Sequence, residues 1–277
     1  MSTGNRGTLN SSGRSRDSAF FHLQLAGAGF HRSIRSRVPK RKAMESARPA
    51  LDSNQLATPR VAVRTCMAAI AFVTWFALAL QFYLMVIQSQ AQDADRFRLT
   101  VNYFSFFTIL TNLLVAMGLT LSFAIPDSRL GRFLSRPVVA SGTAVYIAIV
   151  GATYSLLLRS LWTPQGAQKL ADIVLHDFVP VIYVAYWLIF VPKSSLRWKD
   201  IFYWLFYPLG YFGYSLIRGA AIGWYPYPFI DANKLGYVRV LANAAMLVCA
   251  FLTGALLTGA IGRLTGRNTQ PASREFH

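Results

Sequence analysis

Charge is scarce in this chain where a soluble protein would have most of it. Only 14% of its 277 residues are charged, against about a quarter in an average soluble domain. No Asp, Glu, Lys, Arg or His falls within 65–92, 99–126, 137–158, 178–192, 201–217 or 240–262. With 54% hydrophobic residues and a positive mean hydropathy, this composition excludes a soluble core carrying one appended anchor. Cysteine is nearly absent too. Cys66 and Cys249 are the only two, and both lie within apolar runs, which excludes a disulfide framework and a cysteine metal site. No cofactor or metal is expected from any other spacing. The first apolar run begins near residue 65 and is too long for the core of a signal peptide, so it is expected to stay as a membrane helix.

What is present is six apolar stretches separated by short polar loops. A bilayer core takes about 20 helical residues, and lipid leaves an isolated strand's backbone groups unpaired. Run length and the lack of ten-residue polar alternation therefore predict an all-α polytopic membrane protein, a six-transmembrane-helix bundle over 65–262. The fourth run is short and is extended back to about Leu170, bringing Asp172, His176 and Asp177 to the membrane. The fifth reaches Arg218.

Loop charge sets an expected orientation. With both termini cytoplasmic, Arg64, Arg129, Arg132, Arg136, Lys193, Arg197, Lys199, Arg263, Arg267 and Arg274 share the inner side. Arg96, Arg98, Arg159, Lys169, Arg218, Lys234 and Arg239 lie outside with most of the acidic residues. Localisation in a bacterial inner (plasma) membrane is expected. The net charge of +17 is concentrated in the N-terminal segment, where residues 1–60 hold 11 Lys or Arg and 3 acidic residues among many Ser and Gly. Residues 1–64 read as a basic disordered cytoplasmic arm, and 263–277 as a basic cytoplasmic tail. The arm's plainest role is contact with anionic membrane lipid. Without aromatic interleaving or zinc spacing, nucleic acid is not an expected partner. Met44, after Lys40-Arg41-Lys42, is an alternative start that would remove residues 1–43.

Polar residues inside the spans gather at one depth. On the second helix Ser105, Thr108 and Asn112 are spaced i, i+3, i+7 and form one stripe. From an outer edge near Thr100, Ser105 lies about 8 Å deep and Asn112 about 18 Å. His176 lies about 9 Å deep counted from Leu170, level with Ser105. Ser and Thr in membrane helices commonly bond back to their own backbone and serve packing. A histidine below the interface is costly and faces a polar interior.

A hydroxyl and an imidazole at one level suggest nucleophilic catalysis, since histidine titrates near neutral pH and can take a serine or threonine proton. Asp177 is turned about 100° from His176 on a helix. A third member is therefore expected from another helix, with Asn112 and Asn243 as candidates for orienting the ring or donating to an oxyanion. Pro180, four residues after His176, frees carbonyl groups of the His176 turn, which must find partners nearby. Arg218 can snorkel outward, pair with Asp231 or Asp177, or bind an anionic headgroup or carboxylate. Arg159 has the same options. The segment from Tyr207 to Asp231 is rich in aromatic residues, Pro and Gly, as an interfacial belt or surface loop would be.

Tyr103-Phe104-Ser105-Phe106, His176 with Pro180, and Trp224-Tyr225-Pro226-Tyr227-Pro228-Phe229-Ile230-Asp231 occur in that order. In these pieces the chain resembles the bacterial Pr-six-Pr membrane proteins. More distantly it is similar to the androgen-induced and androgen-dependent TFPI-regulating membrane hydrolase family. The resemblance implies a multipass hydrolase of fatty acid esters with a threonine nucleophile and a histidine base. Those positions fall on Ser105 and His176, with Thr108, one turn on, as the other hydroxyl. A lipid-ester substrate is thus one expectation. The alternatives are a non-enzymatic carrier or channel, with His176, Arg218 and Asn243 lining a path, or a structural membrane protein.

Overall fold

The computed structural model describes the backbone of residues 53–91 and 95–267. The basic arm up to residue 52, the alternative start and the tail beyond 267 lie outside the described residues. Among the described residues every regular element is helical and there is no strand. Five helices are long and apolar enough to cross a membrane: Val61–Gln88, Phe107–Ala124, Pro137–Leu161, Gly166–Phe190 and Ala232–Leu264.

The first helix, α1, runs Ser53–Ala91, so it starts inside the segment expected to be an unstructured arm. A short helix, α2 (Arg96–Tyr103), begins at Asp95, whose carboxylate accepts from the Phe97 amide. Next comes α3, Phe107–Ala124. The expected second span is therefore broken at residues 104–106, although no proline or glycine lies there. A surface turn, α4 (Arg129–Leu134), leads to α5 (Pro137–Thr153), where proline takes the first helical position that suits its fixed φ and missing N–H.

Two membrane helices widen locally into π turns. One turn, Tyr154–Leu158, extends α5. The other, Val174–Phe178, joins α6 (Gly166–Ile173) to α7 (Val179–Phe190) and holds His176. Pro180 lies just beyond it and cannot return an amide to that turn. The two π turns meet where α5 carries Gly151, where a Cβ would come within 3.1 Å of both the His176 carbonyl and the Pro180 ring. Single-turn π bulges often mark functional positions.

The last long elements are α8 (Asp200–Ile222) and α9 (Ala232–Arg267). Gly223, at φ +70°, closes α8 in the left-handed conformation that favours glycine. In the packing α1 lies on α3, and α9 lies on α8. The middle of the bundle is α5, which touches α3, α7, α8 and α9. Its core side chains Ile147 and Val150, with Ile70, Val115 and Val179 of the neighbouring helices, are buried.

Candidate functional site

The π turn of the α6–α7 helix points His176 into a cavity of about 500 Å³, which Asn102, Thr108, Tyr154, Asp172, Trp224 and Tyr227 also line. Nδ1 of His176 lies 3.0 Å from the Asp172 carbonyl oxygen and 3.2 Å from the Asp172 carboxylate. Both neighbours are acceptors, so Nδ1 carries the proton and Nε2 is left free to accept one. The Tyr154 phenol donates to the other carboxylate oxygen of Asp172. The Tyr154 ring stacks on the imidazole at 3.9 Å between centroids. The backbone carbonyl of Asp172 thus takes the hydrogen bond of Nδ1, and the carboxylate, held by a phenol, lies beside it with its second oxygen unpartnered.

Where a third member was expected from another helix, the acceptors beside Nδ1 belong to Asp172 of the same helix. Asp172 precedes His176 by one turn, and residues four apart share a face. Asp177 instead pairs with Arg159, whose guanidinium lies over the Tyr154 ring.

Ser105 is placed elsewhere. Its hydroxyl donates to the Val101 carbonyl at 2.6 Å and meets the Tyr214 hydroxyl at 2.8 Å, and it is wholly buried. The expected pairing of Ser105 with His176 is replaced by contacts with its own helix and α8, and the cavity lining does not include it. The cause is the break between α2 and α3. A continuous helix would put Ser105 and Thr108 on one stripe; the turn rotates Ser105 towards α8 and leaves Thr108 facing the cavity.

Thr108, unlike Ser105, lines the cavity that His176 enters. The Tyr227 phenol oxygen accepts from the Thr108 amide at 3.2 Å and lies 3.3 Å from its hydroxyl. Tyr227 therefore serves the first turn of α3 as a cap supplied from the 223–231 loop. Burial raises the Tyr227 pKa above its ordinary value, so near neutral pH it is a proton donor, never a phenolate base.

Asn112 and Asn243 orient backbone. Asn112 donates to the Thr108 carbonyl at 2.9 Å and to the Leu175 carbonyl, in the π turn, at 3.3 Å. This is the cross-helix partner that the freed carbonyls of a proline-distorted turn require. Asn243 donates to the Phe229 carbonyl at 2.7 Å and fastens the 223–231 loop. Neither touches the imidazole. Arg218 donates to Asn102 at 2.6 Å and lies over the Trp224 ring at 4.7 Å, paired with neither Asp231 nor Asp177.

A second cavity of about 180 Å³ adjoins the first and shares Thr108, Tyr154, Leu158 and Tyr227 with it. Its remaining lining is nearly all hydrocarbon and aromatic, including Ile149, Phe212, Val248 and Phe251. Sequence reasoning missed Asp172, Tyr154 and Tyr227. Only the i, i+4 spacing of Asp172 and His176 was a readable signal; the two tyrosines come from distant segments. Among the described residues no cluster of three or more metal-ligating side chains occurs. No family model matches this chain, and neither a characterised protein nor a solved structure does.

Proposed function

We propose that this protein is a multipass membrane hydrolase of lipid esters in which Thr108 is the nucleophile, His176 the general base and Asp172 the group that orients it. One observation carries the proposal: a threonine hydroxyl and a carboxylate-backed imidazole line the same cavity. The neighbouring apolar cavity is suited to an acyl chain, which buries its methylenes at about 0.8 kcal/mol each. In the reaction the Thr108 oxygen attacks the ester carbonyl while its proton passes to Nε2 of His176. That proton then leaves with the alcohol, and water, deprotonated by the same nitrogen, releases the acid and restores the threonine.

The buried apolar packing beneath the pocket favours this chemistry over a transport path. Another cavity, of about 250 Å³, lies towards the opposite ends of α3, α5 and α7. Along α5 and α7 the buried apolar Ile147 and Val179 lie between this cavity and that of His176.

The sixth span in this proposal is α8. Its 23 residues extend about 35 Å, enough to cross, and Phe202, Phe206 and Ile217 point outward from it. Its many tyrosines and glycines keep its hydropathy below that of the other five helices. Six crossings would put both termini on one side, and the basic loop residues support the cytoplasm of a bacterial inner membrane as that side.

The test is labelling of the detergent-purified protein by a fluorophosphonate, together with fatty acid release from a long-chain p-nitrophenyl ester. Thr108→Ala and His176→Ala are expected to abolish both signals, and Ser105→Ala to retain them. Equal labelling of wild type and the first two variants overturns the assignment.

A further inference from the structure

Among the described residues Arg218 is a cation whose donor capacity the fold leaves partly unused while shielding it from water. Its Nη2 donates to Asn102 and its plane lies over Trp224. Its Nη1 is shielded from solvent and has no hydrogen-bond partner. Among the described residues no carboxylate pairs with it; the acids expected as its partners are engaged, Asp177 by Arg159 and Asp231 by Lys234. A guanidinium is always charged, and an uncompensated charge away from water is costly. The two residues that hold it, Asn102 and Trp224, both line the His176 cavity. The cation thus stands directly behind that cavity's wall, with a fixed plane and an unused amine suited to two-point recognition of a carboxylate or phosphate.

We infer that Arg218 forms an anion-binding subsite beside the His176 cavity, taking the carboxylate or phosphate of an amphiphile whose hydrocarbon part occupies the cavities. It rests on the reading of those cavities as a lipid site, and it specifies the ligand: anionic amphiphiles rather than neutral ones. Asn102 and Trp224 position the guanidinium, and movement of the Trp224 ring admits the anion. The ligand thereby supplies the acceptor that the protein withholds from Nη1.

The experiment measures binding to the full-length protein in neutral detergent, using oleate, oleyl phosphate, oleyl alcohol and inorganic phosphate. None contains a carboxylic ester, so the outcome is independent of turnover and distinguishes failure here from failure of the hydrolase proposal. Wild type is expected to bind oleate and oleyl phosphate on the order of tenfold or more tighter than oleyl alcohol. Arg218→Gln is expected to erase that preference while leaving the alcohol's affinity unchanged. If Arg218→Gln does not fold, Arg218→Lys decides, because a point charge cannot hold Asn102 and a bidentate anion together; its preference should fall several-fold. Absence of preference in the wild type, or an unaltered preference in the variant that folds, overturns the inference. Inorganic phosphate binding as tightly as oleyl phosphate overturns it as well, by assigning the site to a free ion.

Discussion

At the scale of single residues, the proposed hydrolysis depends most on Asp172. It is buried, accepts from Tyr154 and lies 3.2 Å from Nδ1 of His176, whose hydrogen bond goes to the Asp172 backbone carbonyl. Asp172→Asn has nearly the same shape but presents an amide where a carboxylate stood. Ester turnover is expected to fall roughly a hundredfold to ten-thousandfold, the range of a disabled general base, with little change in KM. Steady-state kinetics across pH checks this, and turnover within a factor of about three of wild type would remove Asp172 from the mechanism. Ser105 illustrates the opposite case. Its hydroxyl is the more conspicuous in the sequence, yet both of its hydrogen bonds serve the junction of α2 with α8.

At the scale of elements, irregular backbone builds the site. The break at 104–106, the π turn after α5 and the π turn before α7 each deliver one wall of the cavity. Backbone groups released by such irregularity must be paired inside a membrane protein, and side chains from other helices do it. Tyr211 donates to the Ser105 carbonyl, Tyr227 accepts from the Thr108 amide and Asn112 donates to the Leu175 carbonyl. Asn112→Ala strands that last carbonyl and is expected to destabilise the fold by about 1–3 kcal/mol. A lowered midpoint of thermal unfolding in detergent reports it; an unchanged midpoint would mean that another donor takes over. Pro180 was readable as the source of distortion around His176. The break near Ser105 was not, because the residues that stabilise it are a hundred or more positions away in sequence.

At the scale of the whole molecule, the bundle has a basic end and an end that holds the His176 cavity. Arg129, Arg132, Arg136, Arg197, Lys199 and Arg263 gather where α3, α7 and α9 finish and α5 and α8 begin. Lys193, also at that end, turns inward and donates to the carbonyls of Trp187, Leu188 and Val191, closing α7; burial lowers its pKa. The proposed six-span topology makes a prediction at this scale. After Cys66 and Cys249 are replaced by alanine, a membrane-impermeant maleimide applied to intact cells should label Thr163→Cys and Lys234→Cys, and Ser195→Cys only once the membrane is opened. Labelling of Ser195→Cys and Lys234→Cys from the same side would mean that α8 does not cross.

The run of charge-free segments was by itself enough to determine an all-helical membrane protein, because only long apolar helices satisfy their own backbone in lipid. It also located His176 and the proline beside it. Which of Ser105 and Thr108 lines the cavity of that histidine was decided by tertiary structure alone. Helical periodicity assumes an unbroken helix, and the α2–α3 break exists because tyrosines from α8 and the 223–231 loop pair the backbone it exposes. A local pattern cannot encode a bend whose partners come from the far end of the chain.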